Sequence, residues 1–358
     1  MNRTLRLAAL AVLMPMVAVS CGGDDSPAVA PTPAPAPAPP PPPPPPPSVP
    51  TDAQRITAAT GTVATNPLCS VATLGTYYWE IGDANGIKAF GSEGSGAPTA
   101  NTVMWVFSAS KWLYAANVVQ KRGVLSTDVP FLNFTSGYSQ YGNPPICVPG
   151  NGSDTVQGCV PPGGNGTQDP TTIGRFAYDS GHMQRHATAV MGLGPADNAA
   201  LAADLNATVG NFGFTYSVPQ LAAGVNVSPA GYAMFLRKML SGDLALGSAL
   251  GTNTNCANNA IPGCNAAFTP DELPPTEAWN YSLGHWVEDD PTVGDHAFSS
   301  AGGGGFYPWI DSSKTYYGIV ARERETEAGA GIHSGECGRL IRQAWKTGVT
   351  VTSTTPTP

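Results

Sequence analysis

Between residues 103 and 119 the chain is almost unbroken apolar: Val-Met-Trp-Val-Phe-Ser-Ala-Ser-Lys-Trp-Leu-Tyr-Ala-Ala-Asn-Val-Val. Past Ser108, the apolar positions Trp112, Ala115, Ala116 and Val119 recur at helical spacing, and Gly123 closes the segment. The pattern predicts a helix with Ser108 at its entry. Upstream, 76–81 and 87–90 flank Gly-Asp-Ala-Asn-Gly and predict a β-hairpin. A short helix is predicted at 51–60, and further helices at 180–192, 196–207 and 228–241. Residues 281–288, 297–300, 306–310 and 316–321 read as strands, and 336–347 as a closing helix. Stretches rich in Pro, Gly and Asn at 140–172 and 251–265 predict loops. Strands at both ends with helices between them predict an α+β fold, an antiparallel sheet flanked by helices and carrying an inserted helical lobe. No internal repeat is present.

Polarity changes the picture at the N-terminus. Arg3 and Arg6 precede an apolar run over 7–19, and Ala18-Val19-Ser20 precede Cys21. The run is short for a membrane span. It resembles a bacterial lipoprotein signal, in which the cysteine is lipidated and becomes the new N-terminus. Ala18 stands where leucine is usual. The resemblance implies loss of residues 1–20, a lipid on Cys21 and a place in the cell envelope. That place would be the periplasmic face or the outer surface of the outer membrane. An ordinary secretory signal, with Cys21 incidental, is the alternative. Residues 26–50 are rich in Pro and Ala, with an unbroken proline run over 39–47. Such a segment packs no core and extends as a polyproline spacer, so 21–50 is read as a tether. Residues 51–348 are long enough to bury a large core. Residues 349–358 read as a disordered tail.

The net charge is −8 and no basic run stands out, which argues against a nucleic-acid partner. Besides Cys21, six cysteines remain: Cys69, Cys147, Cys159, Cys256, Cys264 and Cys337. An even number in an oxidising compartment suggests disulfides. Cys147 and Cys159 flank one loop, and Cys256 and Cys264 flank the other. Cys69 and Cys337 remain, near opposite ends of the domain. Metal binding is the weaker reading, because no Cys-x-x-Cys occurs and the five histidines lack ligand spacing. No metal or cofactor is implied.

Lys111 falls one helical turn after Ser108, on the same face. A lysine desolvated by apolar neighbours loses proton affinity and can act as a base near neutral pH. A serine hydroxyl is a poor nucleophile until a base takes its proton. A capping serine and a snorkelling lysine are the structural alternative. No Gly-x-Ser-x-Gly elbow and no His-Glu-x-x-His occur, which argues against an α/β-hydrolase and a zinc peptidase.

Several segments fall in a familiar order. They are Phe107-Ser-Ala-Ser-Lys-Trp-Leu, Lys121-Arg-Gly-Val-Leu-Ser-Thr-Asp-Val, Thr135-Ser-Gly-Tyr and Phe176-Ala-Tyr-Asp-Ser-Gly-His. Val227-Ser-Pro-Ala-Gly-Tyr-Ala-Met-Phe-Leu, Tyr281-Ser-Leu-Gly-His-Trp and the stretch 296–311 follow. Through them the chain resembles the serine β-lactamase and penicillin-binding superfamily. The branch in question holds class C β-lactamases, D-alanyl-D-alanine peptidases, family VIII esterases and 6-aminohexanoate-dimer hydrolases. The resemblance implies that Ser108 is acylated, Lys111 is its base, and Tyr178 shuttles protons to the leaving group. It implies an oxyanion hole from the Ser108 and Gly303 N–H groups, with Ser180, Ser300 and Gly302 also facing substrate. A run of side-chain-free residues, 302–305, lets backbone approach a substrate closely. The family sets its first and last helices side by side, which implies a Cys69–Cys337 bond.

Two positions depart from the family pattern. Ser180 replaces the Asn of Tyr-x-Asn, and Ser300-Ala-Gly replaces Lys-Thr-Gly or His-x-Gly. The lost cation is the group that would attract a substrate carboxylate; His182 and His296 lie near these motifs. The resemblance therefore implies an exported, lipid-anchored serine hydrolase, monomeric, acting through an acyl-enzyme on small carboxylic esters or amides. A β-lactamase or D-Ala-D-Ala carboxypeptidase is one alternative. A catalytically silent envelope protein with the same fold is another.

Overall fold

Thr51 opens the first helix with a capping box. Its hydroxyl accepts from the Gln54 N–H, and the Gln54 side chain accepts from the Thr51 N–H. Helix α1 runs Asp52–Thr65, past the expected end, because packing against the last helix holds it through Gly61. The computed structural model describes residues 49–140, 147, 153–160, 166–270 and 273–357. The expected signal segment, Cys21, nearly all of the expected tether and most of the 141–152 stretch lie outside the described residues.

A short helix α2 (Val71–Leu74) leads into the hairpin β1 (Tyr77–Asp83) and β2 (Gly86–Glu93). Then come β3 (Met104–Trp105), a 3-10 turn over Phe107–Ala109, α3 (Ser110–Arg122) and α4 (Val129–Leu132). The inserted lobe holds α5 (Gly181–Ala189), α6 (Asn198–Val209), β4 (Thr215–Tyr216) and β5 (Val225–Val227). Helices α7 (Pro229–Leu240) and α8 (Leu246–Ala249) return the chain to β6 (Asn255–Cys256) and β7 (Asn280–Ser282). Strands β8 (His285–Glu288), β9 (Ala297–Ser299), β10 (Tyr307–Ile310) and β11 (Tyr316–Ala321) precede α9 (Ala330–Thr347).

The main sheet has eight strands in the order β2-β1-β11-β10-β9-β8-β7-β6, every pair antiparallel. A second small sheet, β3-β5-β4, was not legible in the sequence. Alternation along β1 decides the packing. Tyr77, Trp79 and Ile81 face α1 and α9, meeting Tyr307, Trp309, Val320, Ile341 and Trp345. Tyr78 points the other way, into the larger core shared with α3, α7 and the lobe.

Three further expectations change. The stretch 281–288 is two strands rather than one. Leu283 and Gly284 both take positive φ, +41° and +80°, the requirement of a two-residue hairpin turn. The closing helix starts at Ala330, not 336. Its N-terminal half carries Gly331, Gly335 and Gly338, weak helix formers on propensity alone. Close packing explains two of them. A Cβ on Gly331 would lie 2.9 Å from the Gly302 carbonyl oxygen, and one on Gly338 would lie 2.5 Å from the Tyr307 ring. Residues 349–357 are anchored rather than forming a free tail: the Val351 N–H donates to Thr62 Oγ1, and Asn66 Nδ2 donates to the Val351 and Ser353 carbonyls.

All three cysteine pairs are bonded: Cys69–Cys337, Cys147–Cys159 and Cys256–Cys264. The first joins the turn after α1 to the middle of α9, two helices that pack side by side.

Candidate active site

The chain is pinned just ahead of Ser108. Strand β3 pairs with β5, and the Val106 N–H donates to the Val225 carbonyl at 3.0 Å. Phe107 then turns with φ +47°, a left-handed conformation that costs a bulky residue about 1–3 kcal/mol. Its surroundings hold it there. The Trp105 ring stacks on it at 4.3 Å, and Gly304 packs against the ring so closely that a Cβ there would overlap it. This turn sets Ser108 in the 3-10 turn that feeds α3.

Lys111 is 3 % exposed. Its Nζ donates to Ser108 Oγ at 2.8 Å and to the Ala222 carbonyl at 3.1 Å. The ammonium also lies 4.8 Å from the centre of the Tyr178 ring. The structure thus brings Ser108, Lys111 and Tyr178 together from segments far apart in the chain. Tyr178 is held by backbone, its N–H donating to the Phe268 carbonyl at 3.1 Å. Aromatic rings surround it: Trp286 stacked at 5.2 Å, Phe134 and Tyr281 edge-on at 5.5 and 6.2 Å.

The glycine run comes to the same place. Ser300 Oγ donates to the Ser108 carbonyl at 3.3 Å, and Gly302 packs against Val106 where no side chain fits. The N–H groups of Ser300 and Gly302 donate inward to Pro308 and Phe306. Alternation then aims the Ala301 N–H at the opposite edge. Pairing with β8 reaches only Ser299, so β8 leaves that edge uncovered beyond it. Gly303 opens the tight turn closed by Gly305 N–H to the Gly302 carbonyl. Its own N–H meets no backbone carbonyl among the described residues. The Ser108 N–H lies ahead of the first bonded N–H of its turn, that of Ala109. Ser180 stands at the N-cap of α5, two residues past Tyr178.

Neither histidine supplies the missing cation. His182 is fully buried; its Nε2 bonds the Ala177 carbonyl at 3.0 Å and its Nδ1 bonds Ser136 Oγ at 2.7 Å. Burial pushes its pKa down to about 3, against the pull of the Ala177 bond, so the ring is neutral. His296 is exposed at the start of β9, the end remote from Ser300.

The structure resembles a β-lactamase from Mycobacterium bovis, with a TM-score of 0.50 at 16% identity over 80% of this chain and 99% of that one. It also resembles a penicillin-binding protein from Bacillus halodurans, with a TM-score of 0.50 at 12% identity over 74% and 96%. The fold is that of the serine β-lactamases and penicillin-binding proteins. A D-stereospecific amidohydrolase from a Streptomyces species shares this β-lactamase-like fold, with a TM-score of 0.50 at 14% identity over 80% and 98%. No protein-family model and no curated protein matches the chain.

Two features of the site were unmarked or only weakly marked in the sequence. The Ala222 carbonyl is a backbone atom, and no residue type marks it. The aromatic cluster joins Phe134, Phe176, Tyr178, Tyr281 and Trp286 from three segments. Only the i, i+2 spacing of Phe176 and Tyr178 hinted at a shared face.

Proposed function

We propose that this β-lactamase-like chain is a serine hydrolase that works through an acyl-enzyme on small carboxylic esters or amides. The observation that carries the reading is the buried Lys111 ammonium within hydrogen-bonding distance of Ser108 Oγ, at 2.8 Å. That is the reach required of a base for its nucleophile. In the neutral form Lys111 accepts the serine proton as Ser108 attacks the carbonyl carbon. The N–H groups of Ser108 and Gly303 stabilise the oxyanion. Tyr178, beside Lys111, passes the proton to the leaving group. Water then releases the acid and restores Ser108.

Esters and uncharged amides suit the site because Ser300 carries no charge and is bonded to the Ser108 carbonyl. The name of the amidohydrolase with the same fold is in keeping with an amide substrate. Export with a lipid on Cys21 belongs to the same proposal, and the three disulfides fit an oxidising compartment.

Intact mass after treatment with a fluorophosphonate tests the mechanism. The wild type gains one adduct, on Ser108. Ser108→Ala gains none while keeping its circular dichroism, and Lys111→Ala reacts at least about a hundredfold more slowly. An adduct on the Ser108→Ala protein rejects the assignment, and no adduct on a folded wild type favours the silent envelope protein.

A further inference from the structure

Tyr281 places a polar group deep in an apolar core. The residue is 1 % exposed, and its hydroxyl has no hydrogen-bond partner among the described residues. A buried hydroxyl without a partner destabilises a fold, and phenylalanine would fill the same space without that penalty. Its neighbours show how readily phenylalanine is accommodated: Phe134 stacks on it at 4.9 Å and Phe176 lies at 5.3 Å. The hydroxyl therefore opposes stability at a position where the chain elsewhere uses phenylalanine.

Its location supplies the reason. Tyr281 lies directly across from Trp286 in the β7–β8 hairpin, with the rings 4.8 Å apart. Trp286 in turn stacks on Tyr178, and Tyr281 meets Tyr178 edge-on at 6.2 Å. The Lys111 ammonium lies over the Tyr178 ring face. The Tyr281 phenol is held well above its ordinary range, by burial first and by the nearby Tyr178 phenol second. It stays a protonated donor throughout any ordinary pH. The neutral Tyr178 phenol is a weak acceptor and its phenolate a much stronger one. Once Tyr178 gives up its proton, a phenolate oxygen appears close by.

We propose that Tyr281 is a positioning residue whose buried hydroxyl donates a hydrogen bond, directly or through one water, to Tyr178 when Tyr178 is deprotonated during acyl transfer. No proton leaves Tyr281; it stabilises the charge on its neighbour. This rests on the serine-hydrolase reading above and adds a residue to it.

The test is Tyr281→Phe, measured beside the wild type. The readouts are thermal melting, KM and kcat on a short p-nitrophenyl ester, and the rate of fluorophosphonate labelling at Ser108. The variant should melt at the same temperature or higher. Its KM should be unchanged, with kcat and the labelling rate down roughly ten- to a hundredfold. Wild-type rates at an unchanged melting temperature overturn the proposal and leave the hydrolase reading intact. A marked drop in melting temperature also overturns it, because the hydroxyl would then have a structural partner. If the wild type itself takes no label at Ser108, the hydrolase reading fails first and this proposal falls with it.

Discussion

On the proposed reading, Ser300 decides how this site treats charge. In the resembling family a lysine or histidine stands there, and here the hydroxyl is spent on the Ser108 carbonyl. His182 is locked neutral in the first turn of α5, and His296 is at the far end of β9. A substrate carboxylate thus loses a charge-assisted bond, which is typically about 1.5–3 kcal/mol. That corresponds to roughly a tenfold to more than hundredfold loss in specificity. The chain should therefore hydrolyse a short p-nitrophenyl ester with higher kcat/KM than nitrocefin, and Ser300→Lys should narrow the gap. Nitrocefin as the clearly better substrate would mean that another cation holds the carboxylate.

At the scale of elements, α9 shows why local propensity misplaced a boundary. Its first turns are glycine-rich, so the sequence puts the helix start at 336. Close packing selects glycine at Gly331, where a Cβ would lie 2.9 Å from the Gly302 carbonyl oxygen, and inside the expected span α9 likewise approaches Tyr307 too closely for a side chain at Gly338. Tyr307 cannot yield, since its hydroxyl donates to Glu288 at 2.5 Å and accepts from Arg342 at 3.0 Å. On an exposed helix, Gly→Ala stabilises by about 1 kcal/mol. Gly338→Ala should instead destabilise the fold by about 1–2 kcal/mol, because overpacking outweighs propensity. Urea denaturation reads the sign directly, and a raised midpoint would refute the close fit. The Leu283–Gly284 turn follows the same logic. Its apolar pattern reads as one strand, yet a Cβ on Gly284 would lie 2.6 Å from the Ala115 Cβ and 2.7 Å from the Lys111 carbonyl oxygen. The hairpin tip is pressed against the helix that carries the candidate base.

Across the whole molecule, the Cys69–Cys337 bond joins positions 268 residues apart. Closing so long a loop should contribute about 5 kcal/mol in the chain-entropy model. The paired Cys69→Ser and Cys337→Ser changes should lower unfolding free energy by about that amount. The same changes at Cys256 and Cys264, only 8 apart, should cost less. Equal losses from the two pairs would contradict a loop-length origin. The sequence by itself determined the segment order, the α+β class, the Ser108 helix and its lysine one turn on. Those features depend on neighbours within a few residues, through periodicity and spacing. Only the tertiary structure decided what surrounds them: the Ala222 carbonyl on Lys111, the ring cluster about Tyr178, the bond from Ser300 and the true start of α9. Each depends on contacts between segments tens to hundreds of residues apart, where close packing overrides local preference and a backbone atom can serve as well as any side chain.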